Sequence, residues 1–191
     1  MLLAATVFAA CRKEEPAAGN RLMLVGDSIF HQSESTLDGS LRAAGWNPSV
    51  EAFPGTTIEF WSTDIVKALA KDNPNIIVIE LGTNDCGTVP CVPLAPYIDA
   101  LMRNIPSSIP VLWLTVQTDA LIPKKPEYVN NEINAASGRW PNLWIVDMGS
   151  LFEGHNDWRS DGIHPNAEGQ RQIAKLVEHE LEPFKPVTAN S

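Results

Sequence analysis

Five short apolar runs, at residues 22–25, 48–53, 76–81, 111–115 and 143–147, are separated by longer stretches of mixed polarity. The runs have the length of strands, and apolar residues recur in the stretches at helical spacing. The pattern predicts helices near 35–44, 58–71, 94–104, 127–139 and 166–181. In the last of these, Ile173, Leu176, Val177 and Leu181 line one stripe. Gly45 follows the first helix as a C-terminal cap would, and Asn73-Pro74 stops the second. Strict alternation of strand and helix implies a parallel sheet covered on both faces. Ile76-Ile77-Val78-Ile79 is the clearest case, because an unbroken apolar run suits a strand buried on both sides. In such sheets the functional site lies beyond the carboxyl ends of the strands, where strand order reverses.

Candidate chemistry falls at those ends. Gly26-Asp27-Ser28 follows the first run, Pro54-Gly55-Thr56-Thr57 the second and Gly82-Thr83-Asn84-Asp85 the third. Asp161-Gly162-Ile163-His164-Pro165 precedes the last helix and can return to the same edge. A serine hydroxyl needs a base within hydrogen-bond reach to act as a nucleophile. Of the four histidines, His31 has no evident acid partner, His155 lies in a polar loop, and His179 sits between two glutamates on the last helix. His164 has Asp161 a short turn before it, and Pro165 is placed at the first turn of the helix. An acid so placed holds the imidazole tautomer and stabilises the imidazolium. The Ser28 and Gly55 backbone N–H groups and the Asn84 side-chain amide are candidate oxyanion donors. Asp27 and Asp85 read as structural acceptors that fix the loops. Without its neighbours each motif is only a turn.

Four such blocks in this order resemble the SGNH hydrolases, also called the GDSL esterase/lipase family. The resemblance covers about residues 22–181. It implies a flavodoxin-like three-layer α/β/α sandwich with a central parallel sheet of about five strands, a serine esterase mechanism, no cofactor and no metal. It assigns Ser28 as nucleophile, His164 as base, Asp161 as orienting acid, and Ser28, Gly55 and Asn84 as the oxyanion hole. Ile29 stands where the common signature has Leu, and the proline-rich stretch 86–96 is an insertion beside the Asn84 block. The expected substrate is a small-molecule or polymer-borne carboxylic ester, including acyl groups on carbohydrate or cell-wall polymers. A lysophospholipase or thioesterase is the alternative, and so is a non-catalytic glycan-binding lipoprotein on the same fold. An FMN-binding protein is disfavoured, since Asp27 stands where a phosphate loop needs Ser, Thr or Gly donors. Trp158, near the Asp161–His164 loop, is the candidate substrate contact; Trp46, Trp61 and Trp140 are expected mostly in the core.

Composition narrows the partners. With 191 residues, 44% hydrophobic and 19% charged, one globular domain is expected. A net charge of −9 argues against nucleic acid and against electrostatic docking on anionic lipid. Residues 1–10 carry no charged side chain and end in Phe8-Ala9-Ala10 before Cys11. They match a signal segment of lipoprotein type, with Cys11 lipidated, although Phe8 stands where such motifs usually have Leu. Residues 11–20 read as a tether, and 21–185 as the hydrolase domain. Export to a bacterial cell envelope follows, with membrane contact only through the anchor; a cytoplasmic protein is the alternative. Cys86 and Cys91 are expected to form a disulfide in an oxidising compartment, two reduced thiols being the other reading.

Overall fold

The computed structural model describes residues 19–87 and 91–185. The signal-type segment, Cys11 and most of the tether lie outside the described residues. Five strands, β1 (Arg21–Gly26), β2 (Asn47–Ala52), β3 (Ile76–Glu80), β4 (Val111–Leu114) and β5 (Leu143–Val146), form one parallel sheet in the order β2-β1-β3-β4-β5. The order reverses between β1 and β3. Six helices accompany it: α1 (Ser28–Ala43), α2 (Ile58–Asp72), α3 (Ala95–Asn104), α4 (Pro126–Ser137), α5 (Met148–Phe152) and α6 (Ala167–Leu181). Among the described residues no helix is long and apolar enough to cross a membrane.

The unbroken apolar runs divide by parity, because successive strand side chains point to opposite faces. Met23, Val25, Ile77, Ile79, Val111 and Trp113 meet Ile58, Trp61, Ile65, Ile98, Leu101, Val129 and Ile133, so α2, α3 and α4 cover one face. Leu22, Leu24, Ile76, Val78, Leu112 and Leu114 meet Phe30, Leu37, Leu41, Met148, Phe152, Ile173 and Val177 from α1, α5 and α6. A sheet with two covered faces has polar freedom only at its two edges of loops. The three-layer expectation is met.

Boundaries differ most at α1, which begins at Ser28 rather than near residue 35. Asp27 caps it by accepting the Ile29 N–H, and Ile29, Phe30, Ser33 and Leu37 are buried at the spacing of one helical face. Pro165 lies one residue outside α6; Asn166 is the cap, its side chain accepting from Glu168 and Gly169. Gly45 and Asn73 terminate α1 and α2 in left-handed conformations, φ 92° and 43°. The disulfide Cys86–Cys91 is present and closes the loop after β3.

Asp85 ties that loop to α2, its carboxylate accepting the Ile58 N–H at 3.2 Å. Burial raises its pKa from the ordinary 3.8 to about 6, against the lowering effect of that bond. A raised carboxyl contributes stability below the unfolded value and loses it as pH rises through the folded value. The displacement corresponds to roughly 3 kcal/mol. Asp85→Asn keeps an acceptor for Ile58 without the charge. Urea unfolding at pH 4 and pH 7 should therefore show the variant gaining on the wild type at the higher pH. Equal pH dependence in the two proteins would contradict this account of Asp85.

Candidate active site

Ser28 owes its place to the shortness of the turn between β1 and α1. Only Asp27 intervenes, so the serine is the first residue of α1. Its N–H is one of the first-turn donors that have no acceptor within a helix, at the positive end of the helix dipole. The other requirements come from the far end of the chain. Asp161 accepts the backbone N–H groups of Ile163 at 3.0 Å and His164 at 2.9 Å through one oxygen, which folds the loop into an Asx-turn. Its second oxygen lies 2.7 Å from His164 Nδ1. His164 Nε2 lies 3.0 Å from Ser28 Oγ, across 136 residues of sequence.

Charge settles the tautomer. The His164 backbone N–H, then its imidazole and the Ile163 N–H, lower the Asp161 pKa to about 2. Facing a carboxylate, Nδ1 carries the hydrogen, which leaves Nε2 as an acceptor toward Ser28 Oγ. Gly162, at φ 82°, makes the turn between acid and base. Its positive φ favours glycine, and the end of the exposed Leu121 side chain lies 3.0 Å from where a Cβ would stand.

The oxyanion candidates converge on the same edge. Gly55 has φ 79°, and a Cβ there would meet nothing within 4 Å. The residue is glycine for its backbone conformation, since the free protein does not crowd it. Thr56 anchors the turn, its hydroxyl donating to Phe53 O and receiving the Trp61 indole N–H. The Asn84 amide nitrogen donates to Asp27 Oδ2 and to Thr56 O, both at 2.9 Å. Both neighbours are pure acceptors, so the nitrogen rather than the oxygen faces them. An entering oxyanion would draw on the hydrogen now given to Thr56 O, while Asp27 keeps the other.

Trp158 stacks face to face on His155 at 3.7 Å and meets Phe152 edge-on. It is half-buried against the α1/α6 core, so its ring helps seat the Asp161–His164 loop as well as lying near it. Trp46 and Trp61 are core residues, as expected. His31 and His179 are exposed. Two residues with a bearing on the site escape the motif pattern. Arg159 has a fully buried side chain that binds Gln117 at 2.5 Å, Asn156 at 2.8 Å and Asp119, clamping the loop after β4 to the Asp161–His164 loop. Glu80 is fully buried beneath Asp27 at the end of β3. Nothing in a single Arg after Trp158, or in a Glu closing an apolar run, distinguishes them from surface residues. A cavity of about 280 Å³ lined by Arg21, Asn47, Lys71 and Asp72 lies at the opposite edge of the sheet, remote from Ser28.

A relative 26% identical over 130 residues is a multidomain esterase of Ruminococcus flavefaciens; the match covers 61% of this chain and 16% of that protein. Among solved structures, the lipase/acylhydrolase from Enterococcus faecalis superposes with a TM-score of 0.70 at 20% identity, covering 88% of this chain and 100% of that one. A Clostridium thermocellum family 3 carbohydrate esterase gives 0.69 at 18% identity, covering 85% and 95%. An acetyl xylan esterase, AlAXEase, gives 0.73 at 16% identity, covering 84% and 99%. These likenesses establish the fold. The model of the GDSL-like lipase/acylhydrolase family matches residues 24–172, from within β1 into α6, and the chain belongs to that family.

Proposed function

We propose that this protein is a serine esterase that hydrolyses carboxylic esters through an acyl-enzyme on Ser28. The observation that carries the reading is the continuous relay from Asp161 through His164 to Ser28 Oγ, with contacts of 2.7 and 3.0 Å. Ser28 Oγ attacks the acyl carbon while His164 Nε2 takes its proton. The oxygen that becomes negative is met by the Ser28 and Gly55 N–H groups and by Asn84. His164 returns the proton to the departing alcohol, and water then repeats the sequence to free the acid. The supported substrates are acyl groups on carbohydrate, since similar folds are named acetyl xylan esterase and carbohydrate esterase. The Cys86–Cys91 disulfide supports export to an oxidising compartment.

The nucleophile can be tested directly. A serine-directed organophosphonate should label one site per molecule, and peptide mass mapping should place it on Ser28. Acetylated xylan and a panel of esters differing in acyl length should be hydrolysed by the wild type and not by Ser28→Ala. Labelling elsewhere would remove Ser28 from the role.

The relay makes a graded prediction. His164→Ala should lower kcat nearly as far as Ser28→Ala, about 10⁴-fold or more, because members of such a unit are not additive. Asp161→Asn should be roughly 10–100-fold milder, since it disturbs orientation and tautomer and leaves the base in place. Activity should fall on the acid side as the imidazole takes up a proton, and His31→Ala and His179→Ala should leave that limb unchanged. Asp161, at about 2, stays ionised throughout that range. Retained turnover in folded His164→Ala would reject the relay.

A further inference from the structure

The relay does not use one buried acid at the centre of the fold. Glu80 is the last residue of β3, opposite Gly26 of β1 in the register, so it lies under the reversal in strand order. It has no solvent exposure. One carboxyl oxygen accepts the Thr83 hydroxyl at 3.3 Å, and no donor reaches the other, Oε2. A buried carboxylate lacking a cation and a full set of donors is costly. The groups facing Glu80 are the Asp27 carboxyl and the Thr83 hydroxyl, with the Asp27 backbone N–H, whose lowering effect is smaller than that of burial; Asp85 and His164 act on Asp27 from the loops above. None of these is a fixed cation. A proton on Glu80 removes the cost and turns the orphaned oxygen into a donor for Asp27.

The consequence reaches Asn84. Asp27 uses one oxygen for the Ile29 N–H and the other for the Asn84 amide. The amide nitrogen gives its other hydrogen to Thr56 O, and Asp27 is a pure acceptor beside it only when ionised. Two ionised carboxyls in contact would repel, and a proton on Asp27 would weaken the bond that holds Asn84 from this side, leaving Thr56 O alone to orient the amide. Resting on the esterase reading above, we propose that Glu80 is a positioning residue: it holds the single proton it shares with Asp27, so that Asp27 keeps the Asn84 amide nitrogen aimed at the oxyanion position. Burial raises both carboxyls, Glu80 well above the ordinary value and Asp27 to about 6; the Ile29 N–H and the Asn84 amide, both donors to Asp27, favour ionisation there and leave the shared proton to Glu80.

The test compares Glu80→Leu, which removes the proton donor, with Glu80→Gln, whose amide donates to Asp27 and still accepts from Thr83. Glu80→Leu should lower kcat about 10–100-fold with KM within about twofold, approaching the loss of an oxyanion donor. Glu80→Gln should recover kcat to within about fivefold. In the wild type kcat should bend downward at alkaline pH as the shared proton leaves, and Glu80→Gln should lack that limb. Two readouts need no turnover. The infrared carbonyl band of a buried carboxylic acid should be present at pH 7 and absent from Glu80→Gln. The Asn84 side-chain amide resonances should move in Glu80→Leu and stay near their positions in Glu80→Gln. If Glu80→Leu does not fold, the band and the alkaline limb decide. Absence of the band, matching alkaline profiles in wild type and Glu80→Gln, or equal impairment of both variants would overturn the proposal. Failure of the wild type to hydrolyse any ester would instead reject the esterase reading, and the band and the amide resonances would still decide the role of Glu80.

Discussion

The carboxyl group of Asp27 joins the parts of this molecule that have to meet. It is fully buried at the only residue between the inner strand β1 and α1. One of its oxygens starts the helix at Ile29, and the other holds the Asn84 side chain from the loop after β3. A polar group placed so deep is kept only if its hydrogen bonds are made. Those bonds fix Ser28 and Asn84 relative to each other before any substrate arrives. Preorganisation of that kind is what an oxyanion site requires, because donors that are already oriented need no rearrangement as charge develops.

Asp161 and His164 come from a different part of the chain and need their own scaffold. The Asp161–His164 loop leaves the α1/α6 side of the sheet and is pinned at three levels. Asp161 folds it from within through the Ile163 and His164 N–H groups. Arg159 ties its base to Gln117, Asn156 and Asp119. Trp158 wedges it against Phe152, with His155 stacked outside. The Arg159 side chain is itself buried and meets an acid and two amides, so its charge is compensated where water does not reach. On the opposite side the disulfide and the Asp85–Ile58 bond brace the loop that carries Asn84. The site is thus assembled from loops, but each loop is tied to the rigid sheet.

The sequence by itself determined the layer architecture and the order of its elements. Parity within the runs 22–25, 76–81 and 111–115 divides the strand side chains between two cores, and local physics fixes that division before any tertiary contact forms. The motifs also carried Ser28, Gly55, Asn84, Asp161 and His164 to one sheet edge, since every strand of a parallel sheet ends on the same side. Distances, helix starts and buried partners were decided only by tertiary structure. Residues 28–34 read as a loop because their polar content hides a face formed by Ile29, Phe30 and Ser33, which only the core of α1 and α6 makes apolar. The need for glycine at position 55 lies in its positive φ, which only the folded turn sets. Arg159 and Glu80 had no signature, because the role of a buried ionisable group depends on partners 40 or 53 residues away, Asp119 and Asp27, that are brought near only when the chain has folded.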